Sequence, residues 1–86
     1  MPNIKQQEKR VRSAARQRLE NLRYRSTVKT LTRRLERAVA DGDADDVRTA
    51  HLELQRWIDR AASRGALHRN AAARKKAQAA RIVFGR

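Results

Sequence analysis

A stretch without glycine or proline runs from Lys5 to Ala40, and its length limits the folds open to this chain. Glycine and proline are the residues that most often end a helix, so the pattern predicts one helix over about residues 5–40. Its 36 residues make a rod of ~54 Å at about 1.5 Å per residue. A compact domain of 86 residues has a radius of gyration of about 12 Å and is roughly 30 Å across. One end of the helix must therefore project.

Two sets of apolar residues on this helix predict which end projects. The C-terminal set shares one helical face, in register to pack on a second helix, and consists of Tyr24, Val28, Leu31, Leu35 and Val39. The N-terminal set lies more than a quarter-turn from that face and consists of Ile4, Val11, Ala15, Leu19 and Leu22. We therefore expect a helical bundle from about residue 24 onward. The N-terminal half should project, without a protein partner inside this chain.

Signals for two further helices follow this run. Gly42 is typical of the position just after a helix end, and Asp43 can cap the next helix, with Asp45 and Asp46 in its first turn. That helix is predicted over 43–64. Its apolar stripe, at spacings of three and four, consists of Val47, Ala50, Leu54, Trp57, Ile58 and Ala61. Gly65 should end this second helix.

A third helix is predicted over 68–83, starting at about His68 or Asn70. Its protein-facing stripe is predicted to consist of Ala73, Ala77, Ala80 and Phe84. A neighbouring face, at spacings of four and three, consists of Arg74, Gln78 and Arg81. The predicted fold class is all-α: a three-helix bundle with an overlong, projecting N-terminal helix, in a single domain over residues 1–86.

The chain carries a net charge of +13, and this charge is unevenly distributed. Residues 1–40 carry a net +9 and residues 61–86 a net +7, whereas residues 41–60 carry a net −3. Repulsion on this scale destabilises a fold unless a polyanion neutralises it. The distribution indicates two basic segments that contact nucleic acid. An anionic membrane matches less well, because it calls for a broad apolar face with Trp or Phe opposite the cations.

No pattern of catalytic or metal-binding residues is evident. The chain has no cysteine, and its two histidines, His51 and His68, lie on different predicted helices without a metal-binding spacing. The sequence DGDADD resembles the start of a calcium loop, but Asp46 replaces the obligatory glycine and Leu52 the bidentate glutamate. We expect His51 to flank the bundle stripe and Trp57 to lie in the core. The sequence predicts a protein that is not an enzyme and has no metal or cofactor.

Recognition through the phosphate backbone is the mode of nucleic-acid binding that remains. The sequence has no zinc finger, no heptad zipper and no helix-turn-helix pair, and three aromatic residues are too few for a base-stacking platform. Arg and Lys would contact phosphates, while alanines let a helix approach closely. Two alternatives stay open on these grounds. One is a nucleoid-type protein that coats DNA without sequence preference, and the other is a helical protein-interaction module whose charge serves solubility.

Three segments resemble one known family: AASRGALHRNAAARKK at 61–76, RLENLRYRSTVKTL at 18–31, and Asn3-Ile4-Lys5. They occur in the same order as in the S20 family of bacterial small-subunit ribosomal proteins, and the chain resembles that family over nearly its whole length. The resemblance implies a three-helix bundle with an overlong first helix, located in the cytoplasm within the 30S subunit. It implies direct binding to 16S rRNA, at the 5′ domain and the foot of the long penultimate helix, with few or no protein partners. It implies no membrane partner, no small-molecule substrate and no catalysis.

The resemblance also implies which residues face RNA. Carried over by position, the set consists of Lys5, Lys9, Arg10, Arg12, Arg16, Arg18, Asn21, Arg25, Ser26, Lys29, His68, Arg69, Asn70, Arg74, Lys75, Lys76 and Arg81. The chain departs from the family pattern at Glu20 and Leu22, where basic residues are usual, at Trp57, and in its short C-terminal tail. These departures weaken individual contacts on the first helix.

Overall fold

The computed structural model describes residues 4–85, and its three helices confirm the predicted fold class. α1 spans Ile4–Asp41, α2 spans Ala44–Ser63 and α3 spans Arg69–Phe84. Each helix begins and ends one residue from its predicted bounds. No β-strand is present among the described residues. Asn3 and the outermost ends of the predicted single domain lie outside this range.

The turn between α1 and α2 follows the predicted capping pattern. Gly42 has a φ of +74° and donates its amide to the carbonyl oxygens of Ala38 and Val39, at 3.1 Å each. This left-handed conformation strains residues with a Cβ, which is why glycine suits the position. The Asp43 carboxylate then accepts hydrogen bonds from the Asp45 and Asp46 amides at 3.1 and 3.2 Å. The chain therefore reverses direction within a few residues and lays α2 against α1.

A second tight turn joins α2 to α3. Gly65 has a φ of +77°, and the amides of Ala66 and Leu67 both donate to the Ala61 carbonyl, at 2.8 and 3.2 Å. These bonds satisfy carbonyl groups that the helix end leaves open and bring Leu67 into the core. His68 is the N-cap of α3: its Nδ1 accepts a hydrogen bond from the Asn70 amide at 3.1 Å.

The core lies where the C-terminal half of α1 packs on α2 and α3. The buried side chains of α1 and α2 confirm both predicted stripes, and they are Val28, Leu31, Leu35, Ala38, Ala50, Leu54, Ile58 and Ala61. Tyr24, Val39, Val47 and Trp57 are half-buried and pack against this cluster. Most of the apolar burial that holds the molecule together therefore comes from one half of α1 and from α2.

The buried face of α3 differs from the predicted one. Ala72 and Ala79 are buried, and Ile82 and Val83 pack against the core. The predicted stripe is wrong in phase. Three of its four members, Ala73, Ala77 and Phe84, are exposed. The fourth, Ala80, is half-buried.

Two lysines explain the error in α3. Lys75 and Lys76 lie at the borders of the true buried face and are half-buried. Lysine can lay its aliphatic stem over apolar surface while its ammonium group stays in water. Reading these positions as solvent-facing moved the predicted stripe away from them. The correct stripe is defined by Ile82 and Val83 rather than by the spacing of the alanines.

The molecule is elongated, with principal extents of 62 × 20 × 13 Å and a radius of gyration of 17.1 Å. Residues 4–20 of α1 are all exposed, so the predicted projecting end is confirmed. None of the helices in the described range is long and apolar enough to cross a membrane. We call residues 4–22 the arm and the packed part of the three helices the bundle.

Candidate nucleic-acid interface

One line of cations follows the arm along its length. Lys5, Lys9, Arg12 and Arg16 are all exposed and lie within a narrow sector of the helix at the spacing of successive turns. Their steps of four, three and four residues correspond to about 4.5 to 6 Å along the helix axis. We call this line the basic stripe. A further seven residues along, Arg23 continues it to the edge of the bundle and is also exposed.

The other predicted residues of α1 lie on different sides of the helix. Arg18, Arg25 and Lys29 are exposed and form a second line, separate from the basic stripe. Ser26 is exposed between the two lines. Arg10 is exposed and Asn21 is half-buried. Both lie on the side of α1 that, after residue 24, packs in the bundle.

An apolar ridge lies on the arm between the basic stripe and Arg18, the first residue of the second line. It consists of Ile4, Val11, Ala15, Leu19 and Leu22, and its four larger side chains are 55–70% exposed. The arm therefore presents aliphatic groups with the basic stripe on one side and Arg18 on the other.

α3 presents a second basic surface. Asn70, Arg74 and Arg81 share its outward face, with the exposed alanines Ala73 and Ala77 between them. The two alanines, which the sequence placed inward, leave room on this face for a close approach by a ligand. We call this face the α3 surface.

The remaining predicted residues of α3 lie at its N-terminus and its flanks. His68 and Arg69 are exposed at the start of the helix, where His68 has its capping role. Lys75 and Lys76 are the half-buried flanking lysines. The Lys76 Nζ atom lies 2.7 Å from an oxygen of Asp59 on α2, so this lysine also joins two helices.

The arginines of the predicted set form no ion pair within residues 4–85. Within residues 4–85, the ion pairs are Lys76 with Asp59 and Arg34 with Glu53, the latter at 3.6 Å between largely exposed groups. The arginines of the arm and those of the α3 surface form none in this part of the chain. Their charges therefore remain available to an external anion.

A cleft opens where the arm meets the bundle. Its walls come from both α1 and the end of α2, its volume is about 360 Å³, and it is lined by Glu20, Arg23, Tyr24, Thr27, Trp57 and Arg64. The ring centroids of Tyr24 and Trp57 are 5.7 Å apart, with the ring planes inclined at 54°. The Arg60 guanidinium lies 5.4 Å from the centroid of the Trp57 ring.

The sequence missed this cleft. It placed Trp57 in the core, and the structure places it at the core's edge, half-buried and open to the cleft on one side. Glu20 and Trp57, two departures from the family pattern, line the same cavity. Arg23 and Arg64 were also absent from the predicted set. The spacing of Arg16 and Arg23, two helical turns, is the signal that could have identified Arg23.

The histidines lie apart in the structure. His51 is half-buried on α2, with its ring 6.4 Å from that of Phe84 in an edge-on arrangement. This agrees with its predicted place beside the bundle stripe, while His68 is at the start of α3. No group of three or more His, Asp or Glu side chains that could hold a metal ion occurs among the described residues.

Comparisons with known proteins match one family over nearly the whole chain. The family model of ribosomal protein S20 matches residues 2–83. The small ribosomal subunit protein bS20 of Shouchella clausii is 36% identical over 85 residues, which are 99% of this chain and 97% of that protein. The protein of the same name from Heliobacterium modesticaldum is 42% identical over 78 residues, 91% of this chain and 89% of that protein.

A third relative is also similar over nearly the whole chain. The small ribosomal subunit protein bS20 of Streptomyces griseus is 41% identical over 83 residues, which are 96% of this chain and 94% of that protein. The family model covers residues 2–83, and the three relatives align with 91–99% of the chain. The chain therefore belongs to the ribosomal protein S20 family.

Proposed function

We propose that this chain is a structural constituent of the small ribosomal subunit that binds 16S rRNA directly and stabilises its fold during assembly. Its relatives are named as small ribosomal subunit proteins, which supports a structural role in the ribosome rather than catalysis. The site of action is then the cytoplasmic ribosome. The RNA contacts are the finer part of the proposal, and they rest on the surfaces described above.

The observation that carries the RNA contacts is the pair of basic surfaces whose arginines form no ion pair within residues 4–85. The basic stripe extends over the arm, away from the core, and the α3 surface belongs to the bundle. Cations held in rows on helices can replace the counterions of a phosphate backbone, and the released counterions favour binding. On the α3 surface, Ala73 and Ala77 keep the helix backbone close to the RNA. We assign the predicted residue set, from Lys5 to Arg81, to these contacts.

The geometry favours recognition by shape and charge. The deep, narrow major groove of A-form RNA excludes side chains from the base edges, so folded RNA is recognised mainly through phosphates and 2′-hydroxyl groups. Two separate surfaces suit two RNA segments, and on the family resemblance we propose the 5′ domain and the foot of the long penultimate helix. We propose few or no protein partners, no membrane contact and no small-molecule substrate.

Chemical footprinting of 16S rRNA with and without the protein tests this proposal. We expect two separate protected segments. The double variant Arg12→Gln/Arg16→Gln should lose protection of one segment, and Arg74→Gln/Arg81→Gln should lose protection of the other. Arg48→Gln is the matched control, because Arg48 is exposed on the acidic middle helix. Absence of protection by the unmodified chain would overturn the proposal.

A nucleoid-type DNA-binding protein is the second candidate, since phosphate contacts alone do not distinguish RNA from DNA. The arm, a single helix with cations on two sides, could also lie along duplex DNA. Competition between folded 16S rRNA and duplex DNA separates the two functions. Preference for the rRNA supports the ribosomal role, and equal affinity supports the DNA-binding one.

A further inference from the structure

The cleft lined by Tyr24 and Trp57 has the form of a small binding site. We propose that it accepts a single unpaired base of the bound RNA, which stacks against the Trp57 ring. The inference rests on the proposed rRNA binding and adds to it a contact that is not made to phosphate. Two features of the cleft support it: its aromatic walls and the arginines that line it.

The aromatic walls of the cleft fit a nucleobase. Tyr24 and Trp57 are both half-buried, so each ring is anchored against the core and still partly exposed. Aromatic rings held in this way are the groups on which proteins stack unpaired bases, and stacking tolerates any base.

The charges around the cleft favour a nucleotide over an apolar protein side chain. Arg23 and Arg64 line it, whereas Arg60 lies over the Trp57 ring and lines the groove on the other side of it. Two guanidinium groups beside two aromatic rings suit a ligand that combines a flat base with a phosphate. Glu20 and Thr27 also line the cleft and offer hydrogen-bonding groups to the edge of the base.

The basic stripe leads to this site. Arg23 belongs both to the stripe and to the wall of the cleft, and it lies seven residues, about 10 Å along the axis, beyond Arg16. A strand whose phosphates follow the stripe therefore reaches the opening of the cleft. Bases in a duplex are stacked on their neighbours and are not available, so the base that enters must be unpaired.

Trp57 provides a direct test, because it is the only tryptophan in the chain. The full-length protein is titrated with a 16S rRNA transcript while tryptophan emission is recorded. Stacking of a base on the ring should quench this emission at saturation, and the measurement requires no mutation. Unchanged emission at saturating rRNA would overturn the proposal.

Variants at position 57 test the contribution to affinity. Trp57→Leu should weaken rRNA binding about 5- to 150-fold, the range expected for loss of one stacked base, and Trp57→Phe should weaken it less. The salt dependence of binding should stay unchanged, because no phosphate contact is removed. Circular dichroism checks that each variant keeps its helices at the temperature of the assay.

Leu52→Ala is the matched control. Leu52 is an exposed apolar residue of α2 and lines a groove on another side of Trp57, with Arg56 and Arg60. This variant should bind rRNA as the unmodified chain does. Wild-type affinity of Trp57→Leu would overturn the proposal. So would a loss that appears only when other ribosomal proteins are present, because the occupant would then be a protein side chain.

The outcomes also separate this inference from the proposed function. If Arg12→Gln/Arg16→Gln weakens rRNA binding and Trp57→Leu does not, the ribosomal role stands and the base-binding site is wrong. If the unmodified chain does not bind 16S rRNA, both are wrong.

Discussion

Leu35 and Leu22 belong to the same helix, yet the structure gives them opposite surroundings. Leu35 is 0% exposed and lies in the core, whereas Leu22 is 55% exposed on the arm. Their energetic contributions should differ accordingly, because removing a buried side chain loses its transfer free energy and leaves a cavity. An exposed leucine loses neither.

The first prediction compares these two residues. Leu35→Ala should lower the free energy of unfolding by about 2 to 5 kcal/mol, which is a large share of the stability expected for a domain of this size. Leu22→Ala should change it by less than about 0.5 kcal/mol. Thermal melts followed by circular dichroism measure both. Equal melting curves for the two variants would show that the α1 face has been assigned in the wrong phase.

A second prediction concerns the N-cap of α2. Asp43→Ala removes the carboxylate that accepts from two amides and should destabilise the protein by about 0.5 to 2 kcal/mol. Asp41→Ala is the control. Asp41 is the last residue of α1, where a negative charge opposes the helix dipole, so its removal should be neutral or slightly stabilising. Urea denaturation distinguishes the two variants, and equal losses would argue against the capping role.

At the scale of the element, α1 has two parts that differ in tertiary support: the arm, and the part that packs in the bundle. The bundle half of α1 is held by the core, while residues 4–20 are exposed and carry clustered positive charge. Like charges at helical spacing oppose a helix by a few tenths of a kcal/mol per pair, roughly 0.2–0.5. A helix without tertiary contacts is marginal at this length even with good helix formers.

The third prediction follows from that difference. In the free protein, amides of residues 5–20 should exchange with solvent quickly, whereas those near Leu31 and Leu35 should be protected. Binding to 16S rRNA should slow exchange in the arm, since phosphates replace repulsion with attraction. Hydrogen exchange read out by NMR or mass spectrometry provides the comparison, with the bundle as the internal control. Strong protection of the arm without RNA would contradict this expectation.

The helices differ in how far sequence alone could define them. Their bounds were predictable because glycine, aspartate and proline act locally, within a few residues of each helix end. The buried faces of α1 and α2 were predictable because large aliphatic side chains repeat at one phase. α3 lacks that contrast: alanine occurs on both of its faces, and Lys75 and Lys76 lie beside the buried one. Its phase is decided by packing against the other helices.

At the scale of the whole molecule, charge is predictable from the sequence and its arrangement is not. The net charge of +13 and its two basic blocks already indicate a polyanion. The division of the cations into the basic stripe, the second line and the α3 surface requires the helix positions. The cleft requires even more, since Tyr24 and Trp57 come from different helices and meet only in the folded chain.

The fourth prediction concerns salt. If about eight phosphates are contacted, the logarithm of the binding constant should fall with the logarithm of salt concentration at about 0.7 to 0.9 per phosphate. Affinity for 16S rRNA should then drop about 10³- to 10⁵-fold between about 50 and 200 mM salt. Arg12→Gln should reduce the slope by about one contact, whereas Arg48→Gln should not. A nearly flat dependence would exclude binding through phosphates.

The continuity of α1 through the arm and the bundle has a consequence for how the RNA itself folds. On the proposed function, phosphates bound to the arm stabilise its helix, and a chain docked in this way holds the α3 surface at a fixed reach, so the second RNA segment is captured at an effective concentration of about millimolar. Affinity is then greatest for RNA whose two segments already lie at that separation. Binding and RNA folding are thermodynamically linked. The factor by which this separation raises the affinity for the protein is therefore also the factor by which a bound protein favours RNA with that separation. The length of α1 therefore favours one arrangement of the two RNA segments over the others.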